Sequence, residues 1–172
     1  MPLYKINNKK PVIGKRTWIA PSAEIIGDVK IGERCYIGFG AVIRGDFGAI
    51  SIGNGTLVEE NVVIHVASRA QIGNKVIIGH SAMIHDAIIK DHSLIGMKSM
   101  ICDGAIVDEW VILAEQSLVR KNQALSSGKI YAGSPAQEIG NLTERHKNGL
   151  NSGLEAYMDL IIQYHDTFKR ID

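Results

Sequence analysis

The sequence predicts an all-β solenoid, a parallel β-helix of hexapeptide repeats followed by a C-terminal α-helix. Two observations support this fold class: branched apolar residues recur every six residues, and a helical apolar pattern begins only after these repeats end. A six-residue period fits neither the 3.6-residue turn of an α-helix nor the two-residue alternation of a half-buried strand. It is typical of solenoids in which each repeat forms one short strand and one turn.

The repeat is strictest near the start of the chain, where isoleucine recurs at an interval of six residues. The residue two positions before most of these isoleucines is small or compact, which predicts a narrow and tightly packed interior. The isoleucines are Ile13, Ile19, Ile25, Ile31, Ile37 and Ile43, and the compact companions are Ala23, Val29, Cys35 and Ala41.

This apolar ladder continues after an interruption at "RGDFGAISI", skips over "HVASRAQ", and takes one five-residue step before Ile89. Three hexapeptides per turn predict triangular coils that stack at the sheet spacing of ~4.8 Å. The later ladder members are Ile52, Val58, Ile64, Ile72, Ile78, Ile84, Ile89, Ile95, Ile101, Val107, Leu113 and Val119, with Ser93, Ser99, Ala105, Val111 and Ser117 as companions.

The composition changes beyond "YAGSPAQEI", where Gly133 and Pro135 interrupt regular structure. We therefore predict a hexapeptide-repeat domain over residues 1–140 and a helical tail over residues 141–172 that packs on the β-helix. Ser152 and Glu155 have the spacing of a capping box at the start of this helix. Its apolar stripe has helical spacing and comprises Leu150, Leu154, Tyr157, Met158, Ile161, Tyr164 and Phe168.

Composition excludes several classes of partner. The chain of 172 residues carries 19 Lys and Arg against 18 Asp and Glu, without a basic run interleaved with aromatics, so nucleic acid is not expected as a partner. It contains neither a signal-peptide pattern nor an apolar run long enough to span a membrane. Cys35 and Cys102 are too isolated for a disulfide framework. We expect a soluble, cytoplasmic protein that does not bind membranes.

The six-residue register gives two of the histidines a common position. Ile64 and Ile84 are three ladder steps apart, which is one coil of a triangular solenoid, so His65 and His85 are expected to stack on one outer face. The same count places Arg44 one coil before His65 and Cys102 one coil after His85. For Cys102, a partly packed thiol is favoured over a nucleophile.

His80 precedes His85 by one ladder step and a corner, so the two cannot share an ion within one chain. Singly, each histidine would be assigned to a polar surface, as His92, His146 and His165 are. Together, the stacked pair and the offset third imidazole favour a shared metal ion, with His65 and His85 from one chain and His80 from its neighbour. Such a heterologous contact must close on itself, which implies a cyclic homotrimer.

Six short motifs resemble the γ-class carbonic anhydrase family of left-handed β-helix trimers, namely "VIRGDFG", "VIH", "IGHSAMIH", "LIGM", "DGAIV" and "YAGSPAQEI". The "RGDFG" segment and the C-terminal helix look most like the branch of phenylacetate-degradation and carnitine-operon proteins. The resemblance implies left-handedness, although the general preference for right-handed crossovers would predict the opposite.

The resemblance also implies site residues. His65, His80 and His85 match the family's ligands for Zn²⁺ or a related ion such as Co²⁺ or Fe²⁺, and Arg44 and Asp46 match a pair that braces the interface near the bound anion. A purely structural salt bridge is the alternative reading of that pair.

Two residues depart from the family pattern. Glu59 stands where a glutamine usually orients the metal-bound water, and its charge would oppose deprotonation of that water, although it could act as a base. Phe47 replaces a glutamate credited with proton shuttling, and "HVASRAQ" is too short for the acidic loop, which argues against fast proton export.

Three functional hypotheses follow. In the first, a metal-bound hydroxide, available because the ion lowers the pKa of bound water to about 7, attacks carbon dioxide to give bicarbonate. In the second, the chain is an acyl-CoA transferase or thioesterase that uses the groove between subunits, with the ion polarising the thioester carbonyl or with His80 or His85 as a base without metal. In the third, it is a non-enzymatic trimer in which the ion only ties subunits together.

Overall fold

Each hexapeptide forms a short strand and a turn, and successive strands wind into a parallel solenoid in the computed structural model, which describes residues 2–172. Most strands have two or three residues because the corners of a triangular coil leave no room for more. The elements are β1 (Leu3–Tyr4), β2 (Val12–Ile13), β3 (Trp18–Ile19), β4 (Glu24–Ile31), β5 (Tyr36–Ile37), β6 (Val42–Ile52), β7 (Leu57–Val58), β8 (Val63–His65), β9 (Arg69–Ile72), β10 (Ile77–Ile78), β11 (Met83–His85), β12 (Ile88–Ile89), β13 (Leu94–Ile95), β14 (Met100–Ile101), β15 (Ile106–Val107), β16 (Ile112–Leu113), β17 (Leu118–Val119), β18 (Ala124–Leu125), β19 (Lys129–Ala132), β20 (Gln137–Asn141) and α1 (Glu144–Thr167).

The strands form three faces. The first face is an 8-stranded sheet in the order β3, β5, β7, β10, β13, β16, β19 and β20, in which only β20 is antiparallel to its neighbour. The second and third faces belong to one 12-stranded sheet, because β4 and β6 continue around the corner between them. The second face carries β8, β11, β14 and β17, and the third carries β9, β12, β15 and β18. The prediction of a left-handed parallel β-helix is confirmed.

The apolar ladder forms the core. Every ladder residue from Ile19 to Val119 is buried, and so are all the compact residues two positions before them. The serine companions are buried without leaving their hydroxyls unpaired: Ser93 Oγ donates to the Asp108 carbonyl at 2.8 Å, and Ser99 Oγ donates to the Ala114 carbonyl at 3.0 Å. These bonds join consecutive coils through the interior.

Close packing between coils explains why a glycine follows a ladder isoleucine. A Cβ atom added to Gly38 would lie 2.8 Å from the backbone of Glu59 and Glu60 in the next coil, which is closer than a side chain tolerates. The close approach of the two backbones therefore fixes the corner that presents these two glutamates.

Within "HVASRAQ", residues 66–68 form a short loop between β8 and β9, and the last three residues belong to β9. The carboxylate of Asp86 holds this loop, because its Oδ1 accepts hydrogen bonds from the backbone N–H of Ser68 at 2.9 Å and of Arg69 at 3.1 Å. The ladder regains its register at Ile72, which pairs with Ile89.

The predicted start of the helix was wrong. Helix α1 begins at Glu144 with Thr143 as its N-cap, and His146 completes the capping box by accepting from the Thr143 backbone N–H at 3.1 Å. Ser152 and Glu155 lie inside the helix on its exposed side. The apolar stripe starts later than the helix, and a histidine replaces the usual acidic partner, so the sequence pattern misses the first turns.

The apolar stripe of α1 packs on the solenoid. Leu150, Leu154 and Ile161 are buried, and an aromatic cluster fixes the C-terminal half of the helix. In that cluster the ring centroids of Trp18 and Tyr164 are 4.6 Å apart, and those of Tyr36 and Tyr157 are 4.8 Å apart. Among residues 2–172, no helix is both long enough and apolar enough to cross a bilayer.

The buried ladder sets the stability of the solenoid. Ile95 is fully buried, so we expect Ile95→Ala to lower the free energy of unfolding by about 2–5 kcal/mol through lost burial and a residual cavity. Ile139→Ala is the matched control, because Ile139 is 64% exposed and should change stability by less than about 0.5 kcal/mol. Equilibrium urea denaturation measures both. Equal effects at the two positions would contradict the assigned core.

Candidate metal centre

His65 and His85 end neighbouring strands on the second face. Strand β8 pairs with β11 in a register that sets His65 opposite His85, and the two imidazole centroids lie 5.2 Å apart. Arg44 pairs with His65 in the coil before, and Cys102 follows Ile101, the partner of Ile84, in the coil after. The column expected from the ladder count is therefore present.

Each stacked imidazole has a carboxylate beside it. Asp46 Oδ1 lies 3.3 Å from His65 Nε2, and Asp103 Oδ1 lies 2.6 Å from His85 Nδ1. The hydrogen bond to His85 is the largest cause that holds the pKa of Asp103 below its ordinary value. Sequence reasoning missed Asp103, although the count that placed Cys102 above His85 puts Asp103 next to it.

Arg44 and Asp46 form the predicted pair, with Nη1 and Oδ2 3.2 Å apart. Partial burial would raise the pKa of Asp46, but hydrogen bonds from the backbone N–H groups of Asp46 and Phe47, the charge of Arg44 and the bond to His65 outweigh it and lower the pKa. Asp46 therefore carries a negative charge beside His65, while the Arg44 side chain remains 43% exposed.

His80 lies at the corner after β10 on the first face, away from the strands that carry the stacked pair. Its Nδ1 is 2.7 Å from Glu60 Oε2, and its Nε2 is 3.1 Å from Glu59 Oε2. Glu59 is buried and also accepts from the His80 backbone N–H at 3.1 Å. Within one chain, the predicted ligands thus fall into two clusters, His65 with His85 and His80 with Glu59.

One chain by itself brings a different trio together. Ligand atoms of His85, Asp86 and Asp103 lie within 4.8 Å of one another. Asp86 is already engaged by the backbone of the "HVASRAQ" loop. The other histidines have separate environments: His92 stacks on Trp110 with ring centroids 4.3 Å apart, His146 caps α1, and His165 is exposed.

Phe47 follows Asp46 at the outer edge of this column. Its side chain is 72% exposed, and its ring meets the His65 ring edge-on at 6.0 Å between centroids. His65 thus lies beside both the Arg44–Asp46 ion pair and an exposed aromatic ring.

Comparison with known proteins gives these features a context. Residues 10–45 match the family model described as bacterial transferase hexapeptide (six repeats). "Gamma carbonic anhydrase 2, mitochondrial" of Arabidopsis thaliana is 35% identical over 166 residues, which are 92% of this chain and 60% of that relative. "Carnitine operon protein CaiE" of Proteus sp. (strain LE138) is 33% identical over 165 residues, which are 95% of this chain and 84% of that relative.

A solved structure is similar to this chain over nearly its whole length. The crystal structure of a hexapeptide transferase family protein from Anaplasma phagocytophilum has a TM-score of 0.91 and 34% identity, covering 95% of this chain and 98% of that chain. The chain spans 60% of the length of the Arabidopsis γ-carbonic anhydrase that it matches. From the repeats and these matches, the chain belongs to the hexapeptide-repeat family that includes the carnitine operon protein CaiE, and it is similar to γ-carbonic anhydrases over 92% of its own length.

Proposed function

We propose that the protein is a metal-dependent, γ-carbonic-anhydrase-like enzyme that converts carbon dioxide to bicarbonate. The observation that carries the proposal is the in-register stacking of His65 on His85, with ring centroids 5.2 Å apart. The named γ-carbonic anhydrases among its relatives support the reaction class. In this proposal His80 comes from a neighbouring chain of a homotrimer and completes the ligand set for Zn²⁺, Co²⁺ or Fe²⁺.

The chemistry of the donor set fits a divalent transition metal. Imidazole ligands of such ions usually pair their other ring nitrogen with a carboxylate. His85 has this arrangement with Asp103 and His80 has it with Glu60, so Nε2 of each ring would be the donor for an ion. In His80 this atom lies 3.1 Å from Glu59 Oε2, a contact that the ion would replace. When bound, the ion supplies Lewis-acid activation of water toward an electrophilic carbon.

The chain's own residues would hold and orient the reactants. Glu59 Oε2 lies beside the Nε2 atom of His80, so its carboxylate is placed to accept a hydrogen bond from water at the ion. The exposed guanidinium of Arg44, fixed by Asp46, offers charge-assisted hydrogen bonds to bicarbonate.

An apolar surface beside the histidine column supports assembly with a second copy. Five outward side chains on the second face stack in register, each two positions before a residue of the strand end, namely Arg44, His65, His85, Cys102 or Arg120. Two of the five are exposed methionines. Met97, stacked after His80, is 50% exposed. Exposed apolar patches of this kind mark interfaces. The stripe comprises Val42, Val63, Met83, Met100 and Leu118.

An acyl-CoA transferase or thioesterase is the second candidate, and Phe47 is the observation that favours it. An exposed phenyl ring beside His65 suits the apolar part of an acyl group better than it suits carbon dioxide. The Anaplasma relative described as a hexapeptide transferase family protein is consistent with this class. Without turnover of either substrate, a metal that only joins subunits becomes the third candidate.

We include a cytoplasmic location in this proposal, because Cys35 and Cys102 are both free thiols, as is usual in a reducing compartment.

Three measurements on the purified protein separate these functions. Stoichiometric metal with carbon dioxide hydration in a stopped-flow assay supports the first. A metal-free trimer that binds CoA, or turnover in a panel of acyl-CoA esters without hydration, supports the second. Stoichiometric metal with neither activity leaves the assembly role and overturns both enzymatic candidates.

The His65 side chain is expected to serve both the ion and the assembly. We expect His65→Ala to reduce bound metal at least tenfold and to weaken the trimer, because removing an imidazole leaves an incomplete ligand set. Elemental analysis and sedimentation velocity measure the two effects. His165→Ala, which changes an exposed histidine on α1, should alter neither. Unchanged metal content in His65→Ala would refute the ligand assignment.

The stripe of outward apolar side chains on the second face gives a separate prediction about assembly. Met83→Asp should dissociate the trimer at micromolar concentration, because a carboxylate would be buried against an apolar surface of the next chain. Ile106→Asp is the matched control, since Ile106 is 37% exposed on the third face and Met83 is 38% exposed on the second. Sedimentation equilibrium distinguishes them. Equal dissociation, or none in Met83→Asp, would reject the second face as the interface.

A further inference from the structure

Three side chains from consecutive coils of the first face form a hydrogen-bonded chain that ends at His80. The Tyr36 hydroxyl donates to Glu60 Oε1 at 2.7 Å, and Glu60 Oε2 lies 2.7 Å from His80 Nδ1. Strands β5, β7 and β10 are adjacent in this sheet, and their register brings Glu60 and His80 to the same corner. Sequence reasoning had assigned no role to Tyr36 or Glu60.

The first member of this chain is held rigidly. Tyr36 is 2% exposed, stacks on Trp18 with centroids 5.2 Å apart, and meets Tyr157 of α1 edge-on at 4.8 Å. Burial, followed by the hydrogen bond to Glu60 and its negative charge, raises the pKa of the Tyr36 hydroxyl. Tyr36 therefore stays protonated near neutral pH and can only donate to Glu60.

This donor fixes the orientation of the carboxylate. With Oε1 occupied by the hydroxyl, the Oε2 atom of Glu60 faces the imidazole. The Glu60 side chain is 28% exposed and that of His80 is 44% exposed, so the ring depends on this contact for its orientation more than on packing. A carboxylate lies beside each ring nitrogen, with Nδ1 2.7 Å from Glu60 Oε2 and Nε2 3.1 Å from Glu59 Oε2. The tautomer of a neutral imidazole follows its stronger hydrogen bond, so the shorter contact favours a proton on Nδ1.

We propose that Tyr36 and Glu60 are positioning residues for His80, which hold its ring as the Nδ1–H tautomer. The Nε2 atom, which lies 3.1 Å from Glu59 Oε2, then carries no proton and can bind a divalent ion once it turns from that carboxylate. This inference rests on the proposed metal site, but it concerns residues that touch neither ion nor substrate. It also makes the aromatic cluster under α1 part of the support of that site, because Tyr157 packs on Tyr36.

The first test measures Co²⁺ affinity of the whole protein by competition with a chromophoric chelator. Glu60→Gln should weaken binding about 10–100-fold, as loss of a carboxylate behind a ligand imidazole generally does. Tyr36→Phe keeps the stacked ring and removes one hydrogen bond, so we expect a loss of about fivefold. The visible spectrum of bound Co²⁺ should shift in both variants, which a change in stability alone would not produce.

Matched controls exist at the other end of the first face. Tyr131 is 7% exposed, and its hydroxyl accepts from the Ser126 backbone N–H at 2.9 Å; Glu138 pairs with Lys129 at 2.8 Å. Tyr131→Phe and Glu138→Gln should leave Co²⁺ affinity within twofold of wild type. If Glu60→Gln binds Co²⁺ as tightly as these controls, the positioning role is overturned while the metal site stands.

A second measurement does not depend on metal. In histidine-labelled, metal-free protein at a pH where imidazoles are neutral, the ¹⁵N shifts of His80 report its tautomer. We expect the Nδ1–H form to dominate in wild type and to lose that dominance in Glu60→Gln. An Nε2–H form in wild type would overturn the inference. A wild-type protein that has the expected tautomer but takes up no Co²⁺ would confirm that Glu60 orients His80 and would overturn the proposed function.

Discussion

Backbone hydrogen bonding between coils is the constraint on which the rest of this molecule depends. Each coil pairs residue by residue with the coils on either side, so a position in one repeat determines what lies above and below it. The buried ladder keeps that register, because a slip by one residue would turn isoleucines outward. His65 and His85 face one another for this reason, and not through any attraction between the rings.

The carboxylates beside the predicted metal ligands are of two kinds. Asp103 Oδ1 lies 2.6 Å from Nδ1 of His85, and Glu60 Oε2 lies 2.7 Å from Nδ1 of His80. Asp46 forms an ion pair with Arg44, and the buried Glu59 lies beside the Nε2 atom of His80. In the proposed function, the first kind would prepare an imidazole to bind an ion, and the second would bring charge to the place where reactants meet. Both kinds depend on the same corners of the solenoid.

The sequence alone predicted the features that depend on the six-residue repeat. The ladder from Ile19 to Val119 and the stacking of His65 on His85 follow from counting repeats, whereas the pair of Arg44 and Asp46 was expected from the family resemblance. It did not predict what depends on side-chain reach across coils, such as Tyr36 with Glu60. The error at Ser152 had another cause: the first turns of α1 are polar and have no apolar periodicity, so Thr143 could not be recognised as the cap.

The loop at "HVASRAQ" determines which length changes this fold can accept. His85 follows His65 by 20 residues, whereas Ile112 follows Leu94 by 18, and the surplus is accommodated where Asp86 ties down Ser68 and Arg69. Insertions or deletions there leave every strand in place, but one residue gained inside a strand would turn the following imidazole toward the interior. Lineages of such solenoids can therefore diversify in length only at corners or by whole coils.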